Sequence, residues 1–225
     1  MLETSPFASD VLFHIGPMPI TLPVVTTWGI MGFLVFLSWV GTQSDRFVEA
    51  GGLGIALEIV VETLTSQIDN IVGAKTAPFL PLLGTLFLFL VFANLSAIVP
   101  GLKPPTGHIE TPAALATIVF FSVHYFGIRM QGWKNYLRHY ARPSALLLPL
   151  NVLAEITRTF SLMIRLFGNM MSHEFVIAIV VFLSGLLVPI PFMVLGVLIG
   201  IIQAYIFTVL ATVYIAASAG RIKIE

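Results

Sequence analysis

The sequence contains no cysteine and few charged side chains. Without cysteine among its 225 residues, the chain can form no disulfide bond, thiolate metal site or thiol nucleophile. Charged residues make up only 10% of the chain, and 11 basic residues balance 11 acidic ones. A neutral chain of this kind lacks the basic surface that binding to nucleic acid requires. We therefore expect neither a nucleic-acid partner nor a metal site.

Two signals of other protein classes are also missing from the sequence. No Gly-rich loop ends in Lys-Ser or Lys-Thr, so we expect no cofactor and no nucleotide hydrolysis by the chain itself. The N-terminal residues carry no Lys or Arg. The basic region that begins a cleavable signal peptide is therefore absent, and we expect no such peptide.

Apolar residues dominate the sequence. They make up 57% of the chain, and the mean hydropathy is +0.98, which is typical of an all-α polytopic membrane protein. We predict five crossings in a single integral-membrane domain. The predicted segments are an external lead-in (1–21), spans at 22–43, 79–99 and 112–130, an amphipathic helix (53–72), a long helical hairpin (144–218) and a short tail (219–225).

The predicted amphipathic helix differs from the spans. Its apolar side chains recur at helical spacing, as at Ile59, Leu64 and Ile68, while Glu58 and Glu62 fill other faces. The segment is too polar to cross a membrane. We expect it to lie on the membrane surface or to pack against neighbouring helices.

The predicted hairpin begins with an unusually long helical segment. Residues 144–188 are compatible with a helix almost throughout, and a helix of that length extends about 67 Å. The hydrocarbon core of a bilayer is only about 30 Å thick, so the segment must be tilted, bent or broken. Pro189 and Pro191 are predicted to make the turn to the last helix.

A stripe of polar side chains runs along this long segment. On a helix that turns 100° per residue, the members of the stripe fall within about 60° of one line. A charged group at membrane depth costs about 2.5 kcal/mol or more, which makes such residues functional candidates. The polar members are Asn151, Glu155, Arg158, Ser161, Arg165, Asn169, Ser172 and His173. Glu174 falls nearly opposite and is expected to face another helix.

Two interpretations of the charges in the stripe remain open. Glu155 and Arg158 are three residues apart and could simply neutralise each other. Arg165 has no carboxylate three or four residues away on either side, so it needs a partner from elsewhere, such as another subunit.

Single polar residues in other predicted spans have two interpretations each. Gln203 lies in the middle of the last helix and could reach His173 or Glu174, or serve only as an interhelical contact. Asn94 and Ser96 could line a polar vestibule or bond to an adjacent helix. His124 is expected to be a packed, hydrogen-bonded residue more readily than a ligand.

The run SLMIRLFGNMMSHEF, with the core RLFGN, resembles the signature of subunit a of F-type ATP synthases. The run IIQAYIFTVLATVYI resembles the last helix of that family, and KPPTGHIET is a weaker third match. The resemblance covers about residues 79–218 and implies a long oblique helix beside a rotor. The partners it implies are a rotor ring of c subunits, b-type peripheral stalk subunits, a soluble ATPase head and membrane lipid.

The resemblance also implies roles for individual residues. Arg165 would drive ion release from a rotor carboxylate, because an opposite charge favours the ionised form, and would block leakage between two aqueous half-channels. Arg165, Asn169, Glu174 and Gln203 stand at matching motif positions. The outer path would be lined by Glu174, His173 and Gln203, with Glu110 and His108 as further candidates. The cytoplasmic path would run near Asn151, Glu155 and Arg158, with Ser161 and Tyr214 as additional candidates.

The chain departs from the family pattern in several places. Many members have Gly at the position of His173 and His at that of Gly196, so the pair is exchanged here. His108 and Glu110 replace Asp and Asn in the external loop, and Thr159 replaces a common Pro.

The run VPIPFMVLGVLIGIIQAYIF and the short N-terminus resemble the N-type subgroup, which is associated with sodium-translocating rotors. Proton translocation is the primary expectation and Na⁺ the alternative. A secondary transporter is the alternative of another class, although no internal repeat is found.

The distribution of basic residues predicts the orientation of the chain. With five crossings, eight basic residues fall on one side and only Lys103 on the other, while Arg158 and Arg165 lie inside. Since basic loops stay in the cytoplasm, we expect a bacterial inner-membrane protein with the N-terminus outside and the C-terminus in the cytoplasm. The eight residues are Arg46, Lys75, Arg129, Lys134, Arg138, Arg142, Arg221 and Lys223.

Overall fold

A computed structural model describes residues 11–15, 18–43, 52–72, 78–98, 102, 104–140, 148–185 and 188–220. In this part of the chain, five helices are long and apolar enough to cross a membrane. The prediction of an all-α polytopic membrane protein is therefore confirmed. The start of the predicted lead-in (1–10) and most of the predicted tail (221–225) lie outside the described residues.

The helices follow one another along the chain with short connections. Helices α1 to α3 run from Leu22 to Gln43, from Gly52 to Val72 and from Leu80 to Leu95, and a 3₁₀ turn (Ser96–Ile98) extends α3. A second 3₁₀ turn, Pro105–Gly107, precedes α4 (Glu110–Gln131). The remaining helices are α5 (Trp133–Tyr140), α6 (Leu148–Ser184) and α7 (Pro189–Ser218).

A small β-hairpin precedes α1, which the sequence analysis did not predict. Its strands are β1 (Val11–Ile15) and β2 (Met18–Thr21), paired antiparallel with Val11 opposite Thr21. A two-stranded ribbon tolerates Pro19 because each strand is an edge strand, where a missing N–H breaks no central ladder. The hairpin leads directly into the first membrane helix.

A glycine follows the first helix of the long α6–α7 hairpin. Helix α6 has 37 residues, or about 55 Å of continuous helix, so it must cross a 30 Å core obliquely or extend beyond it. Its last residue, Ser184, is followed by Gly185, whose φ of 73° is readily adopted only by glycine. Pro189 and Pro191 instead lie in the first turn of α7, where a missing N–H costs little. The expectation that these prolines make the turn was therefore wrong.

The core lies between α3, α4 and α7. Its fully buried side chains include Leu83 and Leu90 of α3, Val119 of α4 and Phe207 of α7. Small residues of α7, such as Ala204, let its backbone approach the neighbouring helices closely. This three-helix core forms the base against which the other helices pack.

Helix α6 contributes only one narrow face to this core. Its buried residues, Leu162, Leu166 and Met170, are spaced four apart and form a single line. The apolar side chains on the other faces are largely exposed, and Phe160, for example, is 59% exposed. Most of the surface of α6 is therefore open to lipid or to another subunit.

Helix α2 packs through part of the predicted apolar face. Leu64, Ile68 and Val72 are buried, whereas Ile59 is 56% exposed. Gln67 of α2 accepts a 3.4 Å hydrogen bond from the Tyr205 hydroxyl of α7. Of the two positions expected for this helix, these contacts favour packing against its neighbours.

Candidate functional site

The polar stripe predicted on α6 divides into two groups. Its outward group is exposed and consists of Arg158, Ser161, Arg165, Asn169 and Ser172. The inward group, Asn151, Glu155 and His173, is half-buried at the flank that faces the bundle. The buried line of Leu162, Leu166 and Met170 lies about a quarter turn from Arg165. The stripe therefore reaches from the open surface of α6 into the subunit.

Arg165 lies near the middle of the exposed face. No carboxylate of the described residues is within ion-pair distance of its guanidinium. The apolar residues around it, including Phe160 and Ile164, are themselves exposed. A fixed positive charge in an apolar surface needs a compensating charge when that surface is covered. The geometry thus fits a partner outside this chain.

Asn169, one turn beyond Arg165, connects the exposed face to α7. Its Nδ2 donates a 2.6 Å hydrogen bond to Oε1 of Gln203, and Gln203 is only 5% exposed. Gln203 was expected to reach His173 or Glu174 or to serve as an interhelical contact, and its hydrogen bond to Asn169 is an interhelical contact. An amide pair therefore joins the outward group of the stripe to the interior of the subunit.

His173, one turn further along α6, packs directly on Gly196 of α7. A Cβ built at Gly196 would overlap the imidazole, with Nε2 as its nearest atom. The exchanged residues His173 and Gly196 are thus neighbours, and the missing side chain of one makes room for the other. The imidazole occupies the space between the two helices.

A small cavity lies where α3, α6 and α7 meet. Its volume is about 10 Å³, close to the least that a single water molecule requires. The Nε2 atom of Gln203 is buried and has no hydrogen-bond partner among the described residues. The lining residues are Asn94, Leu166, Asn169, Met170, His173, Gly196, Ile199, Gly200 and Gln203.

Asn94 joins three elements beside this cavity. Its Nδ2 donates to the carbonyl of Gly200 at 2.8 Å, and its Oδ1 accepts from Oγ1 of Thr106 at 2.8 Å. Of the two roles expected for Asn94, lining a polar vestibule or bonding to an adjacent helix, its bond to Gly200 agrees with the second. Ser96 instead donates to the carbonyl of Ala93 in its own helix.

The loop between α3 and α4 folds into the subunit. Pro105, Thr106 and Gly107 are buried, although the segment reads as an external loop. A Cβ built at Gly107 would overlap the carboxylate of Glu174. Glu174 therefore faces another element, as expected, but that element is a loop and not a helix.

The two loop candidates have different environments. His108 is half-buried and follows Gly107 directly, which places it beside the segment that touches Glu174. Glu110 is exposed at the first position of α4. The structure thus brings Glu174 and the His108 segment together and leaves Glu110 at the surface.

The charges at the other end of the stripe have separate partners. Oε1 of Glu155 lies 3.8 Å from Nδ1 of His124 in α4. The guanidinium of Arg158 lies over the Tyr214 ring of α7, 5.7 Å from its centroid. The contacts of these residues thus differ from a simple Glu155–Arg158 pair. Tyr214 is partly buried, and Ser161 is exposed between Arg158 and Arg165.

Sequence reasoning missed three residues that shape the site. Thr106 and Gly107 were treated as part of an external loop, and His124 was treated as a lone packed histidine. A signal existed for His124, because an ionisable residue inside an apolar span usually has a polar partner. Nothing in the loop sequence indicates that Gly107 makes room for Glu174, since that contact depends on tertiary packing.

The fold and these side chains define a multi-pass membrane protein with a charged helix face left open. A family model described as "ATP synthase A chain" matches residues 24–216. The chain is 55% identical over 221 residues to "ATP synthase subunit a 2" of Bradyrhizobium sp. (strain BTAi1 / ATCC BAA-1182), covering 98% of this chain and 99% of the relative.

Two further proteins similar to this chain are also named as ATP synthase subunit a. "ATP synthase subunit a 2" of Pelobacter propionicus is 45% identical over 97% of this chain and 93% of its own length. "ATP synthase subunit a" of Legionella pneumophila (strain Philadelphia 1) is 40% identical over 93% of this chain and 91% of its own length. The chain belongs to the ATP synthase subunit a family. It is a membrane component of an ATP synthase complex, and the expected family resemblance is confirmed.

Proposed function

We propose that this chain is the ion-translocating stator subunit of a rotary ATP synthase. It would pass protons to and from a carboxylate on the rotor ring and couple that flow to ATP synthesis or hydrolysis. The observation that supports this most directly is the exposed position of Arg165, with no carboxylate partner among the described residues. The chain itself would be a non-catalytic part of the complex.

Arg165 would act on the rotor carboxylate by charge alone. Two opposite charges 4 Å apart attract by about 4 kcal/mol at an effective dielectric of 20. The approaching carboxylate is therefore favoured in its ionised form and releases its proton. Arginine suits this task because it stays charged under all physiological conditions. The same charge repels cations and would prevent direct leakage between the two paths.

The outer path would use the inward polar groups at one end of α6. It would pass Glu174 and the loop at Gly107, then His173, and reach the Asn169–Gln203 pair. Asn169 is four residues from Arg165, or about 6 Å along the helix axis. Support for this order comes from the contacts of Glu174 with Gly107 and of Asn169 with Gln203. His108 and Glu110 would lie near the entrance.

The cytoplasmic path would use the opposite end of the stripe. Asn151, Glu155 and Arg158 would line it, together with Ser161 and Tyr214. The separation of Glu155 and Arg158 into contacts with two different helices supports a polar route between α4, α6 and α7. The N-terminus would be outside and the C-terminus in the cytoplasm of a bacterial inner membrane, as the basic residues predict.

The assembly partners would cover the exposed surfaces. A rotor ring of c subunits would contact the Arg165 face of α6, and b-type stalk subunits with lipid would cover other apolar faces. The soluble ATPase head would be connected through the complex. A secondary transporter would be expected to have helices that break at midplane. Helices α6 and α7 run unbroken through 148–184 and 189–218, which supports the stator instead.

The decisive test is Arg165→Ala in the whole complex, in inverted membrane vesicles. We expect loss of ATP-driven proton uptake, while the purified complex retains this subunit and its ATPase head. Arg129→Ala is the matched control, because Arg129 is an exposed arginine of α4 that bonds to Tyr125. Coupled pumping by Arg165→Ala at the control rate would overturn the proposal.

The transported ion needs its own measurement. ATP-driven uptake of radiolabelled Na⁺ would be followed in the same vesicles with a protonophore present. We expect no Na⁺ uptake and, without the protonophore, acidification of the lumen. Na⁺ uptake that persists with the protonophore would establish the N-type alternative, a sodium-translocating stator.

A further inference from the structure

Helices α4 and α6 bring together a histidine and a glutamate that the outer path does not use. Oε1 of Glu155 lies 3.8 Å from Nδ1 of His124, and the two side chains are 15% and 34% exposed. Nδ1 also lies 2.9 Å from the carbonyl of Phe120, one turn back in α4. When Nδ1 carries a proton, its N–H can donate to the Phe120 carbonyl oxygen while the ring stays beside Oε1 of Glu155.

The depth of this couple is defined by the ends of its helices. His124 lies seven residues before the end of α4, and Glu155 lies seven residues after the start of α6. Each is therefore about 10 Å inside its helix end. Glu155 is also ten residues from Arg165, or about 15 Å along the axis. The couple thus lies between the helix ends and the exposed arginine.

Hydrogen bonds beside this couple hold α4 and α7 together. The Ser218 hydroxyl of α7 donates to the carbonyl of Val123, and Gln131 donates to the carbonyl of Ser218. Among the described residues, other titratable or charged side chains of this region are on four helices. They are Tyr136 of α5, with its ring 6.1 Å from that of His124, Arg158 of α6, Tyr214 of α7, and Arg129 with Tyr125 on α4.

We propose that His124 and Glu155 form the proton-exchange site of the cytoplasmic path. The inference rests on the proposed stator function and assigns its inner proton-binding group. The 3.8 Å contact places a carboxylate and an imidazole, two groups that can each bind and release a proton, side by side within the membrane-spanning helices. The proton would come from cytoplasmic water and leave toward the rotor carboxylate, or move in the reverse direction.

The test measures ATP-driven proton uptake by inverted vesicles as a function of external pH. A path without a proton-holding group depends directly on hydronium, whose concentration falls tenfold per pH unit. We expect His124→Gln and Glu155→Gln to pump within about twofold of the unmodified complex at pH 6.5 and about tenfold more slowly at pH 8.5. Because the two groups act as one site, the double variant should be no slower than either single variant.

Control variants show whether an effect comes from proton exchange at this site, from a purely structural contact, or from failure of the proposed stator function. Glu62→Gln on α2 should keep the original pH profile, since Glu62 is an exposed carboxylate on another helix. Glu155→Asp should recover part of the high-pH rate. Variants that assemble but keep the original pH profile would overturn the site, as would a complex that moves Na⁺ and no protons. Normal pumping by Arg165→Ala, measured in parallel, would instead overturn the stator function.

Should Glu155→Gln reduce assembly, His124→Gln alone still decides the question, because the pH profile is normalised to the amount of assembled complex. A purely structural role would lower the rate equally at all pH values. Such a uniform loss would also overturn the proton-exchange site.

Discussion

Asn169 of α6 and Gln203 of α7 share one hydrogen bond of 2.6 Å, with the amide of Asn169 as donor. A second contact between the same two helices, that of Arg158 with Tyr214, lies at an equal spacing along both helices. Eleven residues separate Arg158 from Asn169, and eleven separate Gln203 from Tyr214. Eleven residues are three turns plus about 20°, so both contacts lie on one side of an antiparallel pair. Arg165 lies between them on the same side of α6.

Gln203→Leu tests whether this amide pair serves transport. The change removes the acceptor for Asn169 and with it the polar link between the exposed face of α6 and α7. We expect ATP-driven proton pumping to fall about tenfold. Assembly should change little, because an interhelical hydrogen bond contributes only about 0.6 kcal/mol in membranes. The measurement is pumping by inverted vesicles, normalised to the amount of this subunit.

Gln67→Leu is the matched control for this variant. Gln67 is on α2 and accepts a long, exposed hydrogen bond of 3.4 Å from Tyr205. It should pump like the unmodified complex. Equal pumping by both leucine variants would show that the Asn169–Gln203 bond has no part in transport.

The contact of His173 with Gly196 predicts a reciprocal pattern of mutations. Gly196→His alone would place two imidazoles in one space, and overpacking of this kind costs about 1–3 kcal/mol. His173→Gly alone would remove the imidazole and open a gap. The double variant restores one imidazole at the same contact between α6 and α7. We expect it to pump several-fold faster than either single variant.

The comparison needs the amount of assembled complex as well as the pumping rate. Gly196→His should lower assembly, whereas His173→Gly should mainly lower the rate. If the double variant is as poor as the product of the two single effects, the two positions do not share one site.

The sequence predicted the helices and the polar stripe well, for physical reasons. Long apolar runs need membrane-length helices whatever the partners are, and rotation of 100° per residue places Arg158, Arg165 and Asn169 on one face. Both features depend on local spacing alone. The exposed side of α6 at Arg165 agrees with that spacing.

Features that depend on contacts between distant segments could not be predicted from local sequence spacing. The β-hairpin at Val11–Thr21 depends on pairing of two short strands, and the buried loop at Thr106 depends on its bond to Asn94. The His124–Glu155 contact depends on the register between α4 and α6. Amphipathic spacing gives the face of a helix but not the neighbour that the face meets.

Gly107→Ala tests whether the buried loop positions Glu174. The added Cβ would overlap the Glu174 carboxylate, so either the loop or the side chain must shift. Because a misplacement of about 1 Å at a functional group can cost up to 100-fold in rate, we expect pumping to fall at least tenfold. The measurement is proton uptake by vesicles in which the assembled complex has been quantified.

Gly84→Ala provides the control for adding a methyl group to this subunit. Nothing lies within 4 Å of a Cβ built at Gly84 in α3, so both assembly and pumping should stay near the original values. A Gly107→Ala complex that pumps as fast as Gly84→Ala would mean that the position of Glu174 does not limit transport.

Tyr214 provides a test of the contact that orients Arg158. The guanidinium lies 5.7 Å from the ring centroid, within the range of a cation–π interaction, which contributes about 0.5–1 kcal/mol at exposed sites. Tyr214→Phe keeps the ring and should pump like the unmodified complex. Tyr214→Leu removes the ring and should lower pumping about two- to fivefold, because Arg158 would lose its fixed position at the cytoplasmic end of the stripe.

Arg158→Leu tests whether Tyr214 acts through its contact with Arg158. If Tyr214 acts only by holding Arg158, the Tyr214→Leu change should have little further effect once Arg158 is replaced, and the double variant should match Arg158→Leu. Pumping and assembly would be measured for all four complexes at one pH and salt concentration. Additive losses would mean that Tyr214 acts through its own contacts in α7. Equal losses in Tyr214→Phe and Tyr214→Leu would instead assign the effect to the hydroxyl group, against the ring contact described above.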